Sequence, residues 1–120
     1  MIFARVSAHD AQETQALIQA RCVAGGGHAV VIQGEDKASL LADFARQLDF
    51  PSYFGANLDA LEESLGEWVA AQGAPVTLVV QAGAPLWRSA AGAAVREILG
   101  QLEDAQVAMI ALETTPKVRD

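Results

Sequence analysis

The chain is poor in the residues from which most active sites are built. One cysteine, Cys22, stands in 120 residues, so no intramolecular disulfide can form and metal sites built on paired thiolates are excluded. Only two histidines occur, His9 and His28. They are far apart and far from Cys22, and both read as surface or strand-end residues rather than ligands or general bases. Cations are scarce: eight Lys and Arg face fifteen Asp and Glu, a net charge of −7. That balance argues against nucleic acid or an anionic membrane as direct partner and favours basic ones. No apolar run approaches the roughly 18 residues of a membrane span, and Met1–Val6 lacks a basic leader. The expected setting is cytoplasmic.

What the chain does have is 52% hydrophobic residues, enough for one domain with a packed core. Strand-like and helix-like runs alternate. Ile2–Val6 reads as a short strand. Asp10 and Glu13 resemble a capping box opening a helix, with Ala16, Leu17, Ala20 and Val23 as its apolar positions. Gly25-Gly26-Gly27 stops that helix before the strand Ala29–Ile32. Asp36 or Ser39 caps a second helix bearing Leu40, Leu41, Phe44 and Leu48, and Phe50-Pro51 ends it. Asn57 is a good cap for a third helix, whose Leu58, Leu61, Leu65, Trp68 and Val69 form one stripe. Val76–Val80 is the next strand. Pro85 is expected to open one long helix running through Ala90, Val95, Ile98 and Leu102, and Val107–Leu112 is the last strand. The pattern predicts an α/β fold: a small parallel sheet of three core strands plus an N-terminal edge strand, packed with helices. Residues 1–27 read as a strand-helix extension of the same domain, 28–115 as its main body and 116–120 as a tail.

Catalytic patterns are missing. The strand ends Gln33-Gly34-Glu35-Asp36, Gln81-Ala82-Gly83-Ala84 and Glu113-Thr114-Thr115 give no cluster of acids for a magnesium site, and helix capping accounts for Glu35 and Asp36. The triple glycine follows a helix and precedes a strand, the reverse of a phosphate-cradling loop. No serine stands on a strand-turn-helix glycine elbow. A phosphorylation-switched module would want a serine at a helix start, and Ser89 is a poor candidate. We expect no enzyme, no catalytic residue, no cofactor and no metal.

The distinctive stretch is 51–68. No Lys or Arg occurs between Arg46 and Arg88, and that gap holds Asp49, Asp59, Glu62, Glu63 and Glu67. Asp59 sits in a first helical turn, where the dipole favours a carboxylate by about 0.3–1 kcal/mol. Asp59/Glu63 and Glu63/Glu67 are like-charge i,i+4 pairs, each unfavourable by about 0.2–0.5 kcal/mol, with no base interleaved. A helix shaped for stability alone would alternate its signs. The residues by themselves leave open a charge-complementary binding face or a merely solvated one.

The run Tyr53-Phe54-Gly55-Ala56-Asn57-Leu58-Asp59-Ala60-Leu61, followed by Glu63, Leu65 and Trp68, resembles the signature of the barstar family of intracellular ribonuclease inhibitors. The order of elements over residues 29–113 is similar too. The resemblance implies a barstar-like fold and a plug for a basic ribonuclease active site, with a carboxylate standing where substrate phosphate would bind. It makes Tyr53, Phe54, Gly55, Asn57, Asp59 and Glu63 the contact residues, Asp59 and Glu63 the charged pair and Asn57 the loop organiser. Glu62 and Glu67 extend the same acidic face. The chain departs from the family in having Glu62 where the family has tryptophan, Glu63 in place of Asp, and Ala93 and Ala94 near a later contact acid, with Glu97 one turn away. Residues 1–27 have no counterpart. The expected partner is therefore a basic ribonuclease; the alternative is an acidic regulatory module for another basic protein.

Overall fold

A computed structural model describes residues 1–51 and 54–116. In chain order these form β1 (Ile2–Ser7), α1 (Ala11–Ala24), β2 (His28–Gln33), α2 (Lys37–Gln47), α3 (Leu58–Ala70), β3 (Val76–Gly83), α4 (Ala84–Trp87), α5 (Ala90–Leu102) and β4 (Val107–Thr115). The strands make one sheet in the order β1-β4-β3-β2, and each neighbouring pair is parallel. This is the expected α/β architecture, with β1 as the added edge strand.

Connection handedness explains which helix covers which face. From β2 to β3 to β4 the chain steps across the sheet in one direction, whereas β1 to β2 crosses from edge to edge in the other. Right-handed crossovers then require α1 on the opposite face from the later helices. The side chains agree. Leu78, Val80 and Ala82 of β3 join Leu40, Phe44, Leu61, Leu65, Val95 and Leu99 in the main core. The alternate residues of β3 meet α1: the Cys22 thiol lies 3.3 Å from Thr77 Oγ1, and Gln15 Nε2 donates to Gln81 Oε1 at 2.6 Å.

The core face is fully packed, with Phe44, Leu61, Leu65, Leu78, Val80 and Leu99 at 0% exposure. Each such aliphatic or aromatic side chain stabilises the fold by roughly 1.5–3 kcal/mol relative to exposure. Trp87 is buried as well, and its indole N–H donates to Leu112 O at 2.9 Å. Phe3 of β1 stands edge-on to Trp87 at 5.8 Å, and Arg96 of α5 lies 5.1 Å over the Phe3 ring. The edge strand is further tied by Arg5, whose Nε donates to the buried carboxylate of its register partner Glu113 at 2.9 Å.

Three expectations are corrected. Asp10 precedes α1, but its side chain makes no cap; its carboxylate accepts instead from the Ser7 hydroxyl at 2.9 Å. Ala16, Leu17, Ala20 and Val23 do not face the core. All four are exposed, and α1 is seated through Ala11, Thr14, Gln15, Ile18 and Cys22. The helix after Pro85 is not continuous. Pro85 sits within the one-turn α4, and Ser89 restarts the chain as the cap of α5, accepting from Gly92 N–H at 3.1 Å. The Ser89 hydroxyl also donates to Leu86 O at 2.5 Å. A Cβ at Gly92 would fall 2.0 Å from Leu86 O, so only glycine lets α5 begin so close to α4. The other expected cap holds: Asp36 accepts from Ser39 N–H at 2.8 Å in a reciprocal capping box. The Ser39 amide, donating to the Asp36 carboxylate, and after it the neighbouring Ser39 hydroxyl lower the Asp36 pKa.

Candidate functional site

The loop into α3 is built by its own short-range bonds. After α2 the chain turns at Asp49, which takes φ 53°, and Phe50 N–H donates back to Ala45 O at 3.0 Å. Phe50 and Phe54 then pack ring to ring at 5.1 Å, tilted by 59°, and both lean on the core beside Leu58. Phe54 is thus half-buried. Tyr53, expected as a contact residue, lies outside the described residues. Gly55 is exposed, and Ala56 adopts φ 50°. Asn57 is extended and caps α3: Ala60 N–H donates to Asn57 Oδ1 at 2.8 Å, while Asn57 Nδ2 reaches Gly55 O at 3.4 Å. One side chain therefore bonds both to Gly55, in the approach to the helix, and to its first turn.

α3 buries Leu61, Leu65 and Val69, with Leu58 and Trp68 half-buried. The stripe read from the sequence is the packed one. Asp59, Glu62, Glu63 and Glu67 are all exposed, and none of them forms an ion pair among the described residues. Arg5 is held by Glu113, and Arg46 by Asp43. Among the described residues the like-charge pairs along α3 therefore stand without a counter-ion.

Asp59 and Glu62 turn toward α5, where they rim a groove of about 320 Å³ together with Glu97 and Gln101; its floor includes Ala94 and Ile98. Glu63 and Glu67 are not among the residues lining that groove; Glu63 stands one turn beyond Asp59 and Glu67 one turn further along the same face. Glu97 joins Asp59 and Glu62 through tertiary packing. Its position depends on α5 running beside α3, an arrangement that includes the approach of Leu102 Cδ2 to within 3.7 Å of where a Gly66 Cβ would stand.

A second, larger cleft of about 450 Å³ opens at the carboxyl ends of β2 and β3, lined by Gln33, Glu35, Asp36, Ser39, Gln81 and Thr114 among others. This is where open α/β sheets commonly bind ligands. Here Asp36 and Ser39 are occupied in capping α2. Among the described residues no group of three or more His, Cys, Asp or Glu side chains could hold a metal ion, and no helix is long and apolar enough to cross a membrane.

A family model described as Barstar (barnase inhibitor) matches residues 28–119. The chain belongs to the barstar family. The match begins at β2, so β1 and α1 lie outside it. Among curated proteins no significant match is found. Among solved structures, a chain in the structure of Drosophila ORC bound to AT-rich DNA and Cdc6 is similar over 95% of this chain, with a TM-score of 0.54 and 15% identity. This chain spans 40% of that one, and the likeness is one of fold.

Proposed function

We propose that this protein is a cytoplasmic inhibitor of a basic ribonuclease, with the loop 53–57 and the acidic face of α3 as its contact surface. The observation that carries the reading is an Asn57-capped helix presenting four exposed carboxylates, none of them ion-paired among the described residues, in a member of an inhibitor family. A ribonuclease active site binds phosphate and is therefore lined with cations. A fixed carboxylate can take the phosphate's place, and the bulk of α3 and its loop then block the substrate. Because the Asn57 bonds already hold Gly55 and the first turn of α3, less ordering entropy is lost there on docking. Charges of one sign also steer a basic partner toward the face, an attraction that salt screens.

In this reading Asp59 and Glu63 enter a desolvated pocket, Glu62 meets the partner along the α5 groove, and Glu67 stays at the rim. The mechanism is occlusion and charge mimicry, without catalysis. The departures at Glu62 and Glu63 favour a target whose pocket is shaped differently from that of barnase. The test is a titration of small basic ribonucleases of several types with the purified protein. Stoichiometric loss of activity of at least one, with an association rate that falls as salt rises, is expected. Tight binding to a basic protein without nuclease activity, and none to any ribonuclease, would replace the ribonuclease by another basic partner.

A further inference from the structure

The outward surface of α1 is the least explained part of the molecule. Leu17 and Val23 are 63% and 59% exposed, and Ala16, Ala20 and Ala24 beside them are exposed too. A surface helix ordinarily turns such residues inward. Here the inward side is taken by Gln15, Ile18 and Cys22, which lie over the β3 face formed by Thr77, the fully buried Val79 and Gln81. The outward side also carries two charges, Glu13 in the first turn and Arg21 in the last. Both are exposed, and neither forms an ion pair among the described residues.

The spacing of these residues identifies the occupant. Glu13, Leu17 and Arg21 lie four apart on one ridge, and Ala16, Ala20 and Ala24 form the neighbouring one. Leu17 is midway between the opposite charges. A two-fold axis through Leu17, setting a second α1 antiparallel, brings Leu17 against its own copy. It also places each Glu13 opposite the other copy's Arg21. The alanine ridges let the backbones approach, and ridges of residues four apart interdigitate in the commonest globular helix packing. We infer that α1 is a self-association surface and that its partner is a second copy of this chain, in an isologous antiparallel α1–α1 contact. The charge pattern is complementary to itself under that operator.

One helix pair buries less than the roughly 1,200–2,000 Å² of a standard stable interface, so the dimer is weak and forms with rising concentration. α1 covers the sheet face opposite to α3 and α5, so the dimer leaves both acidic faces open and would be bivalent. The inference does not depend on what α3 binds.

The test is sedimentation equilibrium, with reductant present, from low micromolar to near-millimolar protein, alongside circular dichroism to confirm folding. The apparent mass of the wild type should climb from 12.6 kDa toward twice that value. Leu17→Glu sets two like charges on the axis and should hold the mass at the monomer. Glu13→Arg and Arg21→Glu should each weaken association, and the double exchange should restore it. A wild type that stays monomeric throughout, or a Leu17→Glu variant that associates as wild type does, overturns the proposal. So does a double exchange no better than either single reversal, because the two-fold register requires the rescue.

Discussion

α1 and α3 are helices of similar length, 14 and 13 residues, and they solve opposite problems. α3 turns Leu61, Leu65 and Val69 into the core and leaves its acids in water. α1 turns Leu17 and Val23 outward and seats itself on the sheet through Gln15 and Cys22. A clean apolar stripe and an uncompensated polar face belong to a helix whose packing is settled within the chain and whose exposed face is free for a partner. α1 lacks that division. Its apolar residues run around the helix, and the face it chose was decided by the sheet beneath it.

The comparison can be broken by core truncation. Leu61→Ala and Leu65→Ala should each cost about 2–5 kcal/mol of folding stability, as large-to-small changes at buried sites do. Leu17→Ala should stay within about 0.5 kcal/mol under monomeric conditions, as exposed substitutions do. Urea unfolding of the three variants checks both; equal losses would mean that α1 is packed as firmly as α3.

The caps sharpen the contrast at a smaller scale. Asn57→Ala removes the bond from Ala60 N–H and should cost about 0.5–2 kcal/mol, whereas Asp10→Ala, at a position without a side-chain cap, should cost less. Thermal unfolding of the pair decides this. A smaller effect still belongs to Asp36. Its bonds to Ser39 hold its pKa below the ordinary carboxylate value, so its contribution is present above that value and is lost as the folded form takes up its proton. The stability lead of wild type over Asp36→Asn should therefore shrink as the pH falls below about 4, which unfolding curves across the acid range would show.

The strands were readable from the sequence because each is a short, nearly continuous apolar run bounded by glycine, proline or acid. Even the edge strand β1 keeps its predicted place. The stripe of α3 and the Asn57 cap were legible for the same reason, as both depend on local spacing. The orientation of α1 was not, since Ala16, Leu17, Ile18, Ala20, Cys22 and Val23 offer apolar residues on every side and the decision lies with the sheet face of Thr77, Val79 and Gln81 far along the chain. The break at Arg88 was missed because Ala84 and Ala90 give no sign of it; Ser89 and Gly92 together are the signal. In the acidic site the charged residues were visible, while the convergence of Glu97 with Asp59 and Glu62 required the packing of α5 on α3.

The central claim is that the acids of α3 serve binding and do not hold the fold. It is tested most directly by measuring unfolding and ribonuclease inhibition side by side for wild type, Asp59→Ala and Glu63→Ala. Truncating either acid should weaken inhibition by roughly 2–5 kcal/mol or more, because it leaves partner cations buried and unpaired. Stability should hold for Glu63→Ala or rise slightly, because two i,i+4 repulsions disappear. If both variants lose stability and inhibit every ribonuclease as well or as poorly as wild type does, the acidic face is ordinary helix surface and the account is wrong.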